Sequence, residues 1–244
     1  MKKRLSLLLV LAMLLSFAAC GRNVPHQEST PAVSDPDISH YPVTVTDQAG
    51  REVTIEKAPN RLISSYYITT SLLIALDVDE KLVGVEDNAG LRPIYGLSSP
   101  QLLELPSIGT AKELDLEACA ALAPDLAILP MKVKDSADDL EALGITVLLV
   151  NPESQELLNQ MIRLVATATD TEEKAEALLT FIETQEAYLA ELLSGAEMPS
   201  VYLAGNSSFL TTAGNAMYQS DMIRLAGGEN VATEITDTNW AQID

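Results

Sequence analysis

The stretch from Asp170 to Gly195, DTEEKAEALLTFIETQEAYLAELLSG, decides how the rest of the chain is read. Apolar residues recur at Ala175, Leu178, Leu179, Ile182, Leu189, Leu192 and Leu193 with acids between them, the 3.6-residue period of an amphipathic helix. Asp170 or Thr171 can cap its start, Glu172 and Glu173 suit the positive end of the helix dipole, and Gly195 can end it. At 1.5 Å per residue such a helix spans roughly 35 Å, about the height of a small domain. A rod of that length between two α/β segments predicts a spine joining two globular halves. An ordinary surface helix of one domain is the alternative.

Upstream of the rod the pattern is βα. Val43 and Val45 alternate with threonines, Asp47 to Gly50 supplies turn chemistry, and Val53 and Ile55 alternate again, which predicts a hairpin. Pro59 ends it. Strands are expected at Leu62–Ser65, Lys81–Val85, Leu126–Leu129 and Ile145–Val150, with helices at Thr70–Leu76, Leu114–Leu122 and Ser136–Leu143, and one from Ser154 to about Thr169. Continuous apolar strands separated by helices imply parallel βα units covered on both faces.

After Pro199 a strand is expected at Ser200–Gly205 and a helix at Tyr218–Ala226, stopped by Gly227 and Gly228. The fold class is therefore α/β: two Rossmann-like lobes with parallel sheets bridged by one long helix. Only 49 residues follow Gly195, against some 110 in the first half, so the second lobe is expected to be incomplete and the chain a truncated product or a fragment. The expected organisation is a signal over 1–19, a tether over 20–42, a first lobe over 43–152, helices over 153–197 and a partial second lobe over 198–244.

The start of the chain has its own logic. Lys2, Lys3 and Arg4 precede the apolar run Leu5 to Phe17 and the small residues Ala18 and Ala19, a secretory signal too short to span a bilayer. Leu15 to Cys20 resembles a bacterial lipoprotein signal, which implies lipid on Cys20; plain secretion is the alternative. The Pro-, Ser- and Asp-rich segment from Arg22 to Tyr41 reads as a flexible tether. It holds both histidines, His26 and His40, a placement that would remove histidine from any folded site. With Cys20 lipidated, Cys119 has no partner and is expected to be a small buried hydrophobe.

The formal charge of −20 argues against nucleic acid, which needs basic patches, and equally against general affinity for anionic membranes. Attachment to the membrane would have to come from lipid.

Several stretches together resemble the binding proteins that serve ABC importers of ferric siderophores, haem and cobalamin. They are Gly50 to Ile55 followed by Pro59 to Ile63, then Leu76 through Lys81 to Val85, Ile108-Gly109, Leu114 to Glu117 with Ala123 to Leu126, Leu143 to Val147, and Leu225 to Val231. The resemblance covers residues 43 to 244. It implies two α/β lobes on a helical spine, a ligand held between them with little hinge motion, and a permease dimer with its ATPase as partner, on the extracytoplasmic side of the cell membrane. It also implies a docking acid on the first lobe, and Glu117 stands at the matching position.

In open parallel sheets ligands sit outside the carboxyl ends of strands. That rule selects Ser65, Tyr66 and Tyr67; Glu86, Asp87, Asn88 and Arg92; Thr110 and Lys112; Met131, Lys132 and Lys134; and, beyond the rod, Asn206 to Phe209, Tyr218 and Trp240. Tyr66, Tyr67, Arg92, Lys132, Asn206, Tyr218 and Trp240 are the chosen ligand-binding set. Tyrosines and Trp240 offer flat faces with one polar tip to an aromatic chelate or macrocycle, and the cations could balance an anionic one. Haem would need an axial donor, for which only Tyr66, Tyr67, Tyr218 or Met131 could serve. Ferric siderophores and cobalamin need none, and a ferric siderophore is favoured. Capture of a bare metal ion is disfavoured by the placement of the histidines, and no metal site is expected. Catalytic motifs are absent and no catalytic residue is expected. A lipid-anchored interaction module is the remaining alternative.

Overall fold

The computed structural model describes residues 40–205, 208–236 and 238–243. The expected signal, Cys20, His26 and most of the expected tether lie outside the described residues, as do Asn206 and Ser207.

The chain enters through the predicted hairpin, β1 (Val43–Thr46) antiparallel to β2 (Glu52–Ile55). Its turn is fastened to the rest of the fold by one buried carboxylate. Asp47 accepts hydrogen bonds from the backbone N–H of Ala49 and of Arg51 and from Arg51 Nε, each at 2.9 Å. It also accepts the N–H of Leu149 at 3.2 Å. Arg51 in turn donates to the carbonyl of Val147 and to Glu141, both at 2.9 Å.

Four strands, β3 (Leu62–Ser64), β4 (Leu82–Gly84), β5 (Leu126–Pro130) and β6 (Thr146–Val150), form a parallel sheet in the order β4-β3-β5-β6. The helices are α1 (Tyr67–Ala75), α2 (Pro93–Ser98), α3 (Leu116–Ala121), α4 (Ala137–Ala142), α5 (Gln155–Thr169), α6 (Glu172–Leu192) and α7 (Tyr218–Leu225). Side chains of a strand alternate between faces, and the core divides accordingly. Leu62, Leu126, Ile128, Leu148 and Val150 pack in one cluster with α1, α2, α5 and α6. Ile63, Ala127, Leu129, Val147 and Leu149 pack in another with Cys119 of α3 and Leu140 of α4. Both faces are covered, which is why these strands read as unbroken apolar runs.

Two helices start on side-chain caps, the expected Ser154 and, for the helix expected from Leu114 but starting at Leu116, Asp115. Ser154 Oγ accepts the Leu157 N–H at 3.2 Å, and Asp115 accepts that of Ala118 at 2.9 Å. Gly109 needs its lack of a side chain: at φ +101° a Cβ would strike the backbone of Glu113, Leu114 and Asp115.

The long helix departs from its prediction at both ends. Asp170 does not cap it. With φ +57°, Asp170 closes α5 instead, its N–H bonded to the Ala166 carbonyl, and α6 starts after this corner with Thr171 at the N-cap. The rod has 21 residues, or roughly 31 Å. Only Ala175 and Leu179 of its stripe are buried; Leu189 and Leu192 are exposed. The stripe rests on the first sheet's helix layer near its start, while just past its end Leu193 lies against Gly227 after α7.

Beyond Pro199 the strands are short. β7 (Ser200–Val201) runs parallel to β9 (Glu229–Asn230), and β8 (Thr211–Ala213) antiparallel to β10 (Trp240–Gln242). The strand expected to reach Gly205 stops at Val201. Asn230, buried, joins this part: its Nδ2 donates to the Ala213 carbonyl at 3.1 Å and to Ser220 Oγ at 2.7 Å, and its Oδ1 accepts the Ala232 N–H at 3.0 Å.

His40 and Tyr41, read as tether from the sequence, belong to the fold. His40 Nε2 donates to the Thr167 carbonyl at 2.7 Å, and Tyr41 Oη to that of Ala168 at 3.1 Å. The expectation that no histidine reaches a folded site is corrected, because both bonds lie on the end of α5.

Cys119 is fully buried and free, as a small hydrophobe should be. Burial, with a smaller push from Asp115, raises its thiol from 9.0 to about 11. A raised acid in the folded state gives stability that is intact below pH 9 and lost as pH rises through 11. Urea unfolding should therefore show wild type losing about 1–3 kcal/mol more than Cys119→Ala between these two pH values. Parallel losses in both proteins would contradict this account of the thiol.

Candidate functional site

The carboxyl ends of the four parallel strands converge on one edge, and a cavity of about 320 Å³ opens there. It is lined by Ser65, Tyr67, Glu86, Asp87, Asn88, Leu91, Arg92, Thr110 and Ala111. Seven of these nine were selected from the sequence by the strand-end rule; Leu91 and Ala111 were not.

Arg92 lies at the start of α2 with its guanidinium carbon 4.3 Å from the Tyr67 ring centroid. Stacking on the ring fixes the side chain while leaving its donors directed elsewhere. Its Nε is buried and has no hydrogen-bond partner among the described residues, and the same holds for Ser65 Oγ. Both residues line the cavity, but these two atoms are themselves closed off from solvent, so the cavity meets the other faces of their side chains. Tyr66 packs edge-on against Tyr67, with ring centroids 5.4 Å apart. Burial, then Glu153, then Tyr67 push the Tyr66 phenol well above the usual tyrosine range. The phenol stays neutral at physiological pH and can offer a flat face and one O–H donor.

The floor of the cavity rests on Glu86. This carboxylate is buried; Oε1 accepts from Tyr95 Oη at 2.6 Å and Oε2 from Thr70 Oγ1 at 2.7 Å. Glu86 thereby links β4, α1 and α2. From the sequence it was a polar group at a strand end; in the structure its oxygens are occupied by the protein.

Glu153, after β6, was missed by sequence reasoning. Its carboxylate lies 3.7 Å from Lys132 Nζ, it contributes to the Tyr66 shift, and its carbonyl accepts the Tyr218 N–H at 2.9 Å. Three predicted residues, Tyr66, Lys132 and Tyr218, thus share one unpredicted partner. Only the strand-end rule could have pointed to it. Lys132 is consequently not a free cation for an anionic ligand, although a pair this exposed is worth under about 1 kcal/mol and is readily exchanged.

Trp240 does not join this group. It is half-buried on β10, opposite Ala213. Asn206 lies outside the described residues. Met131, Lys112 and Lys134 flank the edge without lining the cavity. Glu117 is exposed in the first turn of α3, where an acid also favours the helix dipole.

Among the described residues no helix is long and apolar enough to cross a membrane.

Comparison with known proteins places this geometry in context. Over its whole length the chain is 27% identical to the uncharacterised ABC transporter substrate-binding lipoprotein YvrC of Bacillus subtilis, spanning 76% of that protein. Over 162 residues it is 26% identical to the vitamin B12-binding protein of Salmonella choleraesuis, 64% of this chain and 60% of that one. A crystal structure of a periplasmic solute binding protein from Veillonella parvula superposes with a TM-score of 0.67 and 30% identity, over 83% of this chain and 63% of the other. These relatives are binding proteins rather than enzymes. Residues 62–244 match the family model for periplasmic binding proteins, and the chain belongs to that family.

Proposed function

We propose that this protein is the extracytoplasmic substrate-binding component of an ABC importer, and that it captures a metal chelate at the strand-end cavity between two lobes. In this reading residues 43–152 form the first lobe, 198–244 part of the second, and Glu117 docks on the permease. The anchor is lipid on Cys20. The observation that carries the reading is the strand-end cavity lined by Ser65, Tyr67 and Arg92, with the Arg92 guanidinium stacked on the Tyr67 ring. A guanidinium in that position suits an anionic acceptor, which favours a ferric siderophore; Tyr66, Tyr67 and Tyr218 would supply flat contacts.

The second reading is cobalamin, favoured by the relative named for vitamin B12. Haem is the weaker choice, because the raised Tyr66 phenol resists the ionisation that iron ligation requires.

The test is calorimetry and thermal unfolding of the full chain with ferric hydroxamates, ferric catecholates, cobalamin and haem. One of them should bind at micromolar affinity or better and raise the melting temperature. Arg92→Ala should weaken an anionic chelate by roughly 10- to 100-fold, the worth of one charged hydrogen bond, and leave cobalamin little changed. A folded chain that responds to none of the four would favour the interaction-module alternative.

A further inference from the structure

A second group of side chains lies at the corner between α5 and α6, on residues that the chelate reading does not use. His40 Nδ1 is 3.3 Å from Asp170 Oδ1 and 3.9 Å from Glu172 Oε1, and one ligand atom from each residue falls within 4.8 Å of the others. We propose that His40, Asp170 and Glu172 form a binding site for a divalent transition-metal ion, with Zn2+ the best match.

The tautomer of His40 is the first argument. Its Nε2 faces the Thr167 carbonyl at 2.7 Å, and a carbonyl can only accept, so Nε2 carries the hydrogen. In the neutral ring Nδ1 then directs a lone pair at two carboxylates. A metal-bound imidazole is held in the same way, by a backbone carbonyl on its far nitrogen. The lone pair and the two anions are mutually unfavourable until a cation sits among them.

The surroundings supply the second argument. The C-terminal end of α5 and the N-terminal end of α6 meet at this corner, so their helix dipoles offset each other and the charge of the site is set by the two carboxylates. Among the described residues, the ion pairs of Asp170 and Glu172 are with His40 alone. Lys174, the nearest cation along α6, is occupied by Asp77 at 2.8 Å. Asp170 is held in position by its left-handed backbone, since its own N–H closes α5.

The donor set selects the ion. One imidazole with two carboxylates suits Zn2+ and its neighbours, whereas Mg2+ and Ca2+ prefer oxygen alone and thiolate sites differ again. The side chains of Asp170 and Glu172 are 59% and 45% exposed, so they can close by the ~1 Å that metal–ligand bonds near 2.1 Å require. Their exposure also leaves room for water to complete the coordination. The ion would tie His40, just before β1, to the start of the long helix.

This inference stands apart from the proposed cargo, and a failed chelate panel leaves it intact. The test is Zn2+ titration of the chelator-treated full chain at pH 7.5, by calorimetry and by thermal unfolding. One Zn2+ per chain at micromolar affinity is expected, with a rise in melting temperature of about 5–11 °C at a hundredfold excess over Kd. His40→Ala, and separately the double variant Asp170→Asn with Glu172→Gln, should weaken binding at least about tenfold. Asparagine tolerates the left-handed conformation, so the double variant keeps the corner, and metal-free melting verifies its folding. His26→Ala, changing the other histidine, should bind as wild type does. Zn2+ affinity that is unchanged in both the His40 and the double variants, or no binding below millimolar Zn2+, would overturn the assignment and leave His40 as a simple proton-bridged ion pair.

Discussion

Asp47→Ala should lower the unfolding free energy by about 3–5 kcal/mol, the range for removing one partner of a buried, hydrogen-bonded ion pair. The Asp47 side chain is fully buried, and its two oxygens receive three backbone N–H groups and the Arg51 guanidinium. Alanine would leave the Leu149 N–H without its acceptor and Arg51, only 28% exposed, with the half-exposed Glu141 as its remaining counterion. Urea unfolding at neutral pH measures the loss, with a fall in melting temperature of about 2–4 °C per kcal/mol. Asp47→Asn should fall between, because the amide keeps one acceptor but turns donors towards Arg51. A loss under about 1 kcal/mol for the alanine variant would mean that the hairpin is held by its apolar contacts alone.

Glu86→Ala should cost about 3 kcal/mol and, unlike Asp47→Ala, should also impair ligand capture. Stability falls because two hydroxyls, those of Thr70 and the fully buried Tyr95, lose their shared acceptor at about 1–3 kcal/mol each, partly offset by relaxation. Capture falls because Tyr95 lies in α2, whose start carries Arg92 onto the Tyr67 ring. Glu86 is a positioning residue in this account, acting through Arg92. Glu86→Gln, which keeps one acceptor, should recover part of both properties. The discriminating measurement is calorimetry with whichever chelate the wild type binds, at a temperature where the variant is folded. Full affinity in a folded but destabilised Glu86→Ala would show that the rim holds its shape without this carboxylate.

The elements along the chain were legible wherever local chemistry suffices. The hairpin follows from its alternation and turn, the parallel sheet from apolar runs of five residues between helices, and the helix over Gln155–Thr169 from the Ser154 cap. The strand-end rule also found most of the cavity lining, because sheet topology alone determines which loops converge.

What failed was orientation. Asp170 reads as a helix start, yet its backbone ends the preceding helix; the same residue type suits both roles, and only the chain's path chooses. Glu86 and Glu153 are two acids at strand ends that sequence cannot tell apart. One turns inward to two hydroxyls, while the other lies half-exposed beside Lys132 and Tyr66. His40 looked like tether because its neighbours are polar, and its partners lie 127 and 130 residues away in the chain.

The sequence by itself determined the order and type of the elements, the two-faced burial of the sheet and the family to which the chain belongs, since periodicity and turn chemistry act over a few residues. The tertiary structure alone decided which acids are structural, which cation keeps unsatisfied donors, and that a histidine meets two carboxylates at a helix corner. Those outcomes depend on distances between residues far apart in the chain, set when the core packs and the side chains compete for partners.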